Sequence, residues 1–240
     1  MSTAALTALE LRPLSARSVV LSLLLGSHPA QSPARDLIPL VADLGVSEAT
    51  LRVALSRLVA SGDLTRDDGN YRLSPRLLER QRRQDEALTP DTHDDAGRWT
   101  MVAVTTQGRD PISRQELRRE LAGQRLAELR EGLWLRPDNL RTTELSPELL
   151  AQTTRFTAVP DEDPVELAHR LWDLSAWSER GTVLLSHFEA DTEPISRITI
   201  AAAIVRHLLT DPVLPDALRP ADWPAEALRA SYADYRRSLA

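Results

Sequence analysis

The chain has 240 residues, 42% of them hydrophobic and 27% charged, with a net charge of −6 and no cysteine. That length supports two or three small domains with real cores; the missing thiols exclude disulfides, cysteine nucleophiles and cysteine-held zinc. No stretch approaches the roughly 18 uninterrupted apolar residues of a membrane span. No small-residue cleavage site follows the apolar run VVLSLLLG at 19–26, so a cytoplasmic protein with no membrane partner is expected.

Every one of the 29 basic residues is arginine. Residues 1–84 hold 11 arginines against 8 acids, a net +3, whereas 85–240 hold 18 against 27, a net −9. An acidic chain whose only net-positive section is its first third points to a localised anionic partner. The histidines at 28, 93, 169, 187 and 207 show no paired metal-ligand spacing on one helical face, so no metal and no cofactor is expected. A ligand set gathered from distant segments is the alternative.

In chain order, SARSVVLSLLLG predicts a strongly apolar helix. DLIPLVADLG predicts a short second one, with Asp36 as N-cap, Pro39 in the first turn, and Leu37, Ile38, Val41 and Leu44 inward. Gly45 then turns the chain into LGVSEATLRVALSRLVASGDL, residues 44–64. Here Ser47 is the N-cap, Val46 and Leu51 form a hydrophobic staple, and Gly62 supplies the left-handed stop. Leu51, Ala54, Leu55, Leu58 and Val59 make one buried stripe. The opposite face carries Ala49, Val53, Ser56 and Ala60, flanked by Thr50, Arg52 and Arg57. Small side chains allow a close approach, and arginines suit phosphates or guanine edges; an ordinary Ala/Ser-rich amphipathic helix is the plainer reading.

GDLTRDDGNYRLS predicts a hairpin with a type I′ turn at Asp68-Gly69, Arg66 facing Tyr71 and Leu64 facing Leu73. Three helices and a hairpin make a winged helix-turn-helix, with the small-residue face directed at a DNA major groove. Asp67 and Asp68 at the wing tip oppose phosphate. A charged helix, PRLLERQRRQDE (75–86), and an acidic linker follow; its RQRR run fits either phosphate binding or a solvated face. RWTMVAVTT, ISRQELRRELAGQRL, LREGLWLRP and TTRFTAVP then predict strand, helix, strand and strand, a ferredoxin-like α/β pattern. From about 164 helices dominate, as PVELAHRLWDLSAWSE, ISRITIAAAIVRHLL and AEALRASYADYRR. The segment DPVLPDALRPADWP is expected as a Pro-fixed lid over the last helices, with Asp211 and Asp222 in capping or turn roles. The five tryptophans fit core anchors or, alternatively, an aromatic pocket.

The fold expected is thus α+β and multidomain: a winged helix-turn-helix with its linker helix at 1–87, a ferredoxin-like middle domain at 88–160, and a helical domain at 161–240. SARSVVLSLL, LGVSEATLRVALSRLVASGDL, GRWTMVAV, EGLWLRP, RLWDL and DPVLPDALRPADWP, in this order, resemble the PaaX family of bacterial repressors of phenylacetic-acid degradation. The resemblance implies a homodimeric transcriptional repressor that binds a palindromic double-stranded operator and leaves it on binding phenylacetyl-CoA or another acyl-CoA effector. It places DNA contacts at Arg17, Ser47, Ala49, Thr50, Arg52, Val53, Ser56, Arg57, Arg66 and Arg72. Effector phosphates require arginines, for which Arg118, Arg119, Arg206, Arg236 and Arg237 are candidates. The wing is more acidic than the family's. The strand ending Val104-Thr105-Thr106-Gln107 also lacks the aspartate that anchors metal in a related nuclease fold. A non-enzymatic, dimer-forming or ligand-sensing middle domain is therefore expected. A nuclease built on that domain and a winged-helix module that binds protein are the alternatives.

Overall fold

The structure is a computed structural model that describes residues 2–106, 110–141 and 146–239. Among these residues the chain begins with α1 (Ser2–Ala8), α2 (Ala16–Gly26), β1 (Gln31–Pro33), α3 (Ala34–Asp43), α4 (Glu48–Ala60), β2 (Leu64–Asp67), β3 (Asn70–Leu73) and α5 (Pro75–Leu88). It continues with β4 (Trp99–Val104), α6 (Pro111–Gly123), β5 (Ala127–Arg130), β6 (Leu133–Pro137), α7 (Pro147–Leu150) and β7 (Thr153–Ala158). The helices α8 (Pro164–Leu171), α9 (Leu174–Ala190), α10 (Pro194–Leu208) and α11 (Ala225–Ser238) complete it. This is an α+β chain with two antiparallel sheets.

Packing divides it into two units, one of residues 1–89, 180–209 and 224–240, the other of 90–179 and 210–223. The helical region expected at 161–240 is therefore not a body of its own. The reason lies in α10, where Ile198, Ile200, Ala201, Ile204, Val205 and Leu208 are all buried. A helix apolar on most sides must be covered on most sides. In the first unit α1, α2, α5 and α11 pack on it. The N-terminal segment is tied down as well: Leu6 and Leu9 are buried, and the Leu14 amide donates to Thr199 Oγ1 at 3.2 Å.

Three helices and a sheet form the front of this unit. Ser15 caps α2 through the Ser18 amide. The far end of α2 is closed by Gln81 of α5, whose buried side-chain amide donates to the carbonyls of Leu25 at 3.0 Å and Ser27 at 2.9 Å. Helix α3 begins earlier than its sequence suggests, with Pro33 in the N-cap position and no side-chain cap. Asp36 thus lies in the first turn instead of at the N-cap, still well placed for the helix dipole. Pro39 falls inside the helix, beyond the first turn, so it removes a helical bond there. The hairpin has the expected register, Leu64 opposite Leu73 and Arg66 opposite Tyr71. Asp68 and Gly69 have φ of +45° and +78°, as a two-residue I′ turn requires. A third strand, β1, joins the other edge of β3 antiparallel, giving the order β1-β3-β2.

In the second unit the strand order is β5-β6-β4-β7, every pairing antiparallel. Val102, Leu117, Leu121, Leu126, Trp134 and Leu149 form its core against the helices. LREGLWLRP is two strands, not one: Gly132, at φ +78°, turns β5 into β6. PVELAHRLWDLSAWSE likewise breaks into α8 and α9, because Asp173 accepts from the Ala176 amide at 3.0 Å and starts a new helix. The segment 211–223 packs within this unit and is no lid over the last helices. Asn139 donates to the Val213 carbonyl at 2.8 Å and Arg125 to the Asp211 carbonyl at 2.7 Å, while Asp211 accepts from the Val213 amide as a turn residue. Trp99, Trp134 and Trp223 are buried; Trp177 stacks on Trp223 with ring centroids 4.1 Å apart. They are core anchors.

Candidate nucleic-acid interface

Helix α4 is positioned by both of its ends. The Ser47 hydroxyl accepts from the Thr50 amide at 3.2 Å, which satisfies one unpaired donor of the first turn. At the other end Gly62, with φ +70°, donates to the Val59 carbonyl while the Asp63 amide donates to Leu58, a Schellman closure. Leu51, Ala54, Leu55 and Leu58 are buried against α2 and α3. With that stripe fixed, the opposite face is set by helical period alone. Ala49, Thr50, Arg52, Val53, Ser56, Arg57 and Ala60 are all exposed, and Val53 keeps 51% of its surface accessible with no polar group to hydrate it.

The charges on this face differ in their freedom. Arg52 is held along the helix by Glu48, Nε to Oε1 at 2.9 Å. Among the described residues Arg57 has no acidic partner. On the hairpin, Arg66 lies over the Tyr71 ring, 5.7 Å from its centroid, and Arg72 is 4.0 Å from Asp67. Asp67 and Asp68 are exposed at the turn, so the hairpin presents two arginines beside two carboxylates.

Arg17 is engaged within the chain. Its guanidinium and that of Arg76 each bind one oxygen of Asp63, which is only 4% exposed, and the Ser61 hydroxyl donates to the same carboxylate at 2.8 Å. That hydroxyl first, and the two guanidiniums with it, hold the Asp63 carboxyl below its ordinary range against the opposing effect of burial. Asp63 thereby joins the start of α2, the end of α4 and the start of α5. Arg17 serves this joint, with about half of its side chain still exposed. Sequence reasoning missed the joint, although an acid directly after a left-handed glycine was its one visible sign.

The arginines considered for an effector separate into two sets. Arg118 pairs with Glu128 at 3.0 Å and Arg119 is exposed beside it on α6. Arg206, Arg236 and Arg237 instead line one cavity of the first unit. The RQRR run divides too: Arg82 and Arg83 bind Glu79, lowering its carboxyl to about 2, whereas Arg80 faces that cavity. Among the described residues no group of three histidines or acids is placed to hold a metal ion. None of their helices is long and apolar enough to cross a membrane. Val104, Thr105 and Thr106 carry no carboxylate, and Gln107 lies outside the described residues.

The family model for "PaaX-like protein" matches residues 15–77, from the cap of α2 through the hairpin to the start of α5. No curated protein matches the chain. The solved structure of uncharacterized protein Rv0674 from Mycobacterium tuberculosis is 52% identical, covers 94% of this chain and 95% of its own, and superposes with a TM-score of 0.82. With the exposed arginine face inside the matched region and a relative of that similarity over nearly the whole length, the chain belongs to the PaaX-like family.

Proposed function

We propose that this protein is a transcriptional repressor, which binds double-stranded DNA as a homodimer through a winged helix-turn-helix. In this reading α4 enters the major groove and β2–β3 is the wing. The second unit is a ferredoxin-like βαββαβ scaffold with no catalytic task. By resemblance to the family, the reading also takes in a palindromic operator near genes of aromatic-acid catabolism and release by phenylacetyl-CoA or a related acyl-CoA.

One observation carries the reading: an entire face of a 13-residue helix is small, arginine-flanked and uncovered. At 1.5 Å per residue that helix is about 20 Å long, a size the major groove admits. With its other face buried, Val53 stays half exposed and, among the described residues, Arg57 has no acidic partner.

The test is fluorescence anisotropy of the full chain on DNA from upstream of its own gene. Binding should weaken steeply with salt, by about a thousandfold between 50 and 200 mM if each of two subunits meets three or more phosphates. Arg57→Ala and Arg52→Ala should each reduce specific affinity by about 1–3 kcal/mol. Affinity unchanged in both variants removes α4 as the reading element. Failure to retain any DNA at low salt turns the face, with its acidic hairpin tip, into a protein-binding surface.

A further inference from the structure

Within the first unit a cavity of about 550 Å³ is lined by α2 and α3 and by α10 and α11, with α5 along its side. That volume falls within the range of small-molecule sites. Leu21, Leu25, Leu40, Ile198 and Val205 make its apolar wall. Arg80, Arg206 and Arg236 also line it, and all three are solvent-accessible.

The cavity carries more positive charge than its neighbouring carboxylates balance. Several arginines of the unit have carboxylates: Arg17 and Arg76 share Asp63, Arg82 and Arg83 share Glu79, and Arg237, which also lines the cavity, binds Asp234. Among the described residues no carboxylate pairs with Arg80, Arg206 or Arg236. The nearby Asp85 is occupied by His28, Nε2 to Oδ2 at 3.0 Å. Burial, and after it the like charge of Arg80, make the Arg206 guanidinium easier to deprotonate than usual. Three guanidiniums that line one cavity with no carboxylate paired to them, set against a leucine-rich wall, are complementary to a molecule with an anionic group and an apolar body.

We propose that this cavity binds an organic anion with an apolar body, its carboxylate or phosphate held by Arg80, Arg206 and Arg236 and its apolar portion lodged among Leu21, Leu25, Leu40, Ile198 and Val205. This deepens the effector part of the proposed function and rests on that reading only for the consequence to DNA. The consequence follows from the walls: α2 and α3, on one side of the cavity, are the two helices against which α4 packs. A ligand that alters their spacing from α10 and α11 acts on the support of the DNA-facing helix.

The experiment is isothermal titration of the full chain, without DNA, against phenylacetate, its coenzyme A thioester and inorganic phosphate. At least one of the first two should bind with one site per chain, and phosphate alone should bind far more weakly. Binding of the free acid only assigns the arginines to a carboxylate, and binding of the thioester only assigns them to phosphates. Arg206→Ala and Arg80→Ala should each weaken binding about tenfold or more, as loss of a charge-assisted hydrogen bond does. Ala202→Phe, which fills the cavity from α10, should abolish it while the helical circular dichroism stays intact. No heat with either organic anion, equal binding by an Arg80→Ala/Arg206→Ala/Arg236→Ala variant, or phosphate binding as tight as the organic anions overturns the site. Anisotropy on the same samples separates the two readings. A protein that binds the anion but never DNA keeps the cavity assignment and loses the regulator, and the reverse result does the opposite.

Discussion

Asp63→Asn tests whether the joint behind α4 is structural. The wild-type carboxylate, 4% exposed, receives Arg17 on one oxygen and Arg76 on the other, with the Ser61 hydroxyl at 2.8 Å. Hydrogen bonds to charged groups contribute roughly 1.5–3 kcal/mol each. Asparagine keeps one acceptor oxygen, and the two guanidinium side chains are 51% and 73% exposed, so both regain water when released. The expected loss is therefore about 2–3 kcal/mol, below the 3–5 of a fully buried broken pair. Urea unfolding followed by circular dichroism measures it, with an unchanged m-value showing that the folded and unfolded states are otherwise the same. The sign with pH is fixed as well. Because the carboxyl is held below its ordinary value in the fold, its contribution is complete above the range where the unfolded carboxyl titrates and disappears as pH falls through the lower folded value. The difference between wild type and variant should accordingly shrink on acidification below about pH 5. A loss under about 0.5 kcal/mol, typical of an ordinary surface substitution, refutes the reasoning, as does a difference that does not change with pH.

Glu48→Gln frees the Arg52 guanidinium and removes a negative charge from the DNA-facing helix, so operator affinity should rise severalfold at low salt, and a fall would mean Glu48 positions Arg52 productively; anisotropy reads either. Gly181→Ala should destabilise the first unit by about 1–3 kcal/mol, because the added methyl would lie 2.7 Å from Pro224 Cγ and 3.1 Å from His207 Nε2; urea unfolding with no loss would show that α11 can shift. Gln81→Met keeps volume but leaves the carbonyls of Leu25 and Ser27 without their donor, a cost of about 1–3 kcal/mol, seen as a lower urea midpoint.

What could be seen in the sequence was whatever local chemistry decides. Helix α4 was legible to the residue because its cap, staple, stripe and left-handed glycine all lie within twenty positions. The hairpin register followed from Asp68-Gly69 and alternation. Strand β1 was not legible: Gln31-Ser32-Pro33 has no apolar alternation, and its existence depends on the free edge of β3. The break at Asp173 was hidden because apolar periodicity continues across it. The joint at Asp63 and the arginine-lined cavity were beyond reach for a stronger reason. Each gathers residues from segments far apart, in the cavity's case from 14–40, 80–84, 198–206 and 232–239, and no spacing rule connects them.

The interleaving of the two units bears on how the protein is made. The unit that carries α4 needs α10 and α11, and α11 ends at Ser238. While the nascent chain still lacks these helices, the apolar side of α2 has only part of its cover, so the front half cannot close natively until α10 and α11 have been made. A fragment ending at residue 87 should therefore emerge sticky and poorly soluble. A version in which 180–209 and 224–240 are rejoined to 1–89 by short linkers is the smallest piece expected to fold as this unit does.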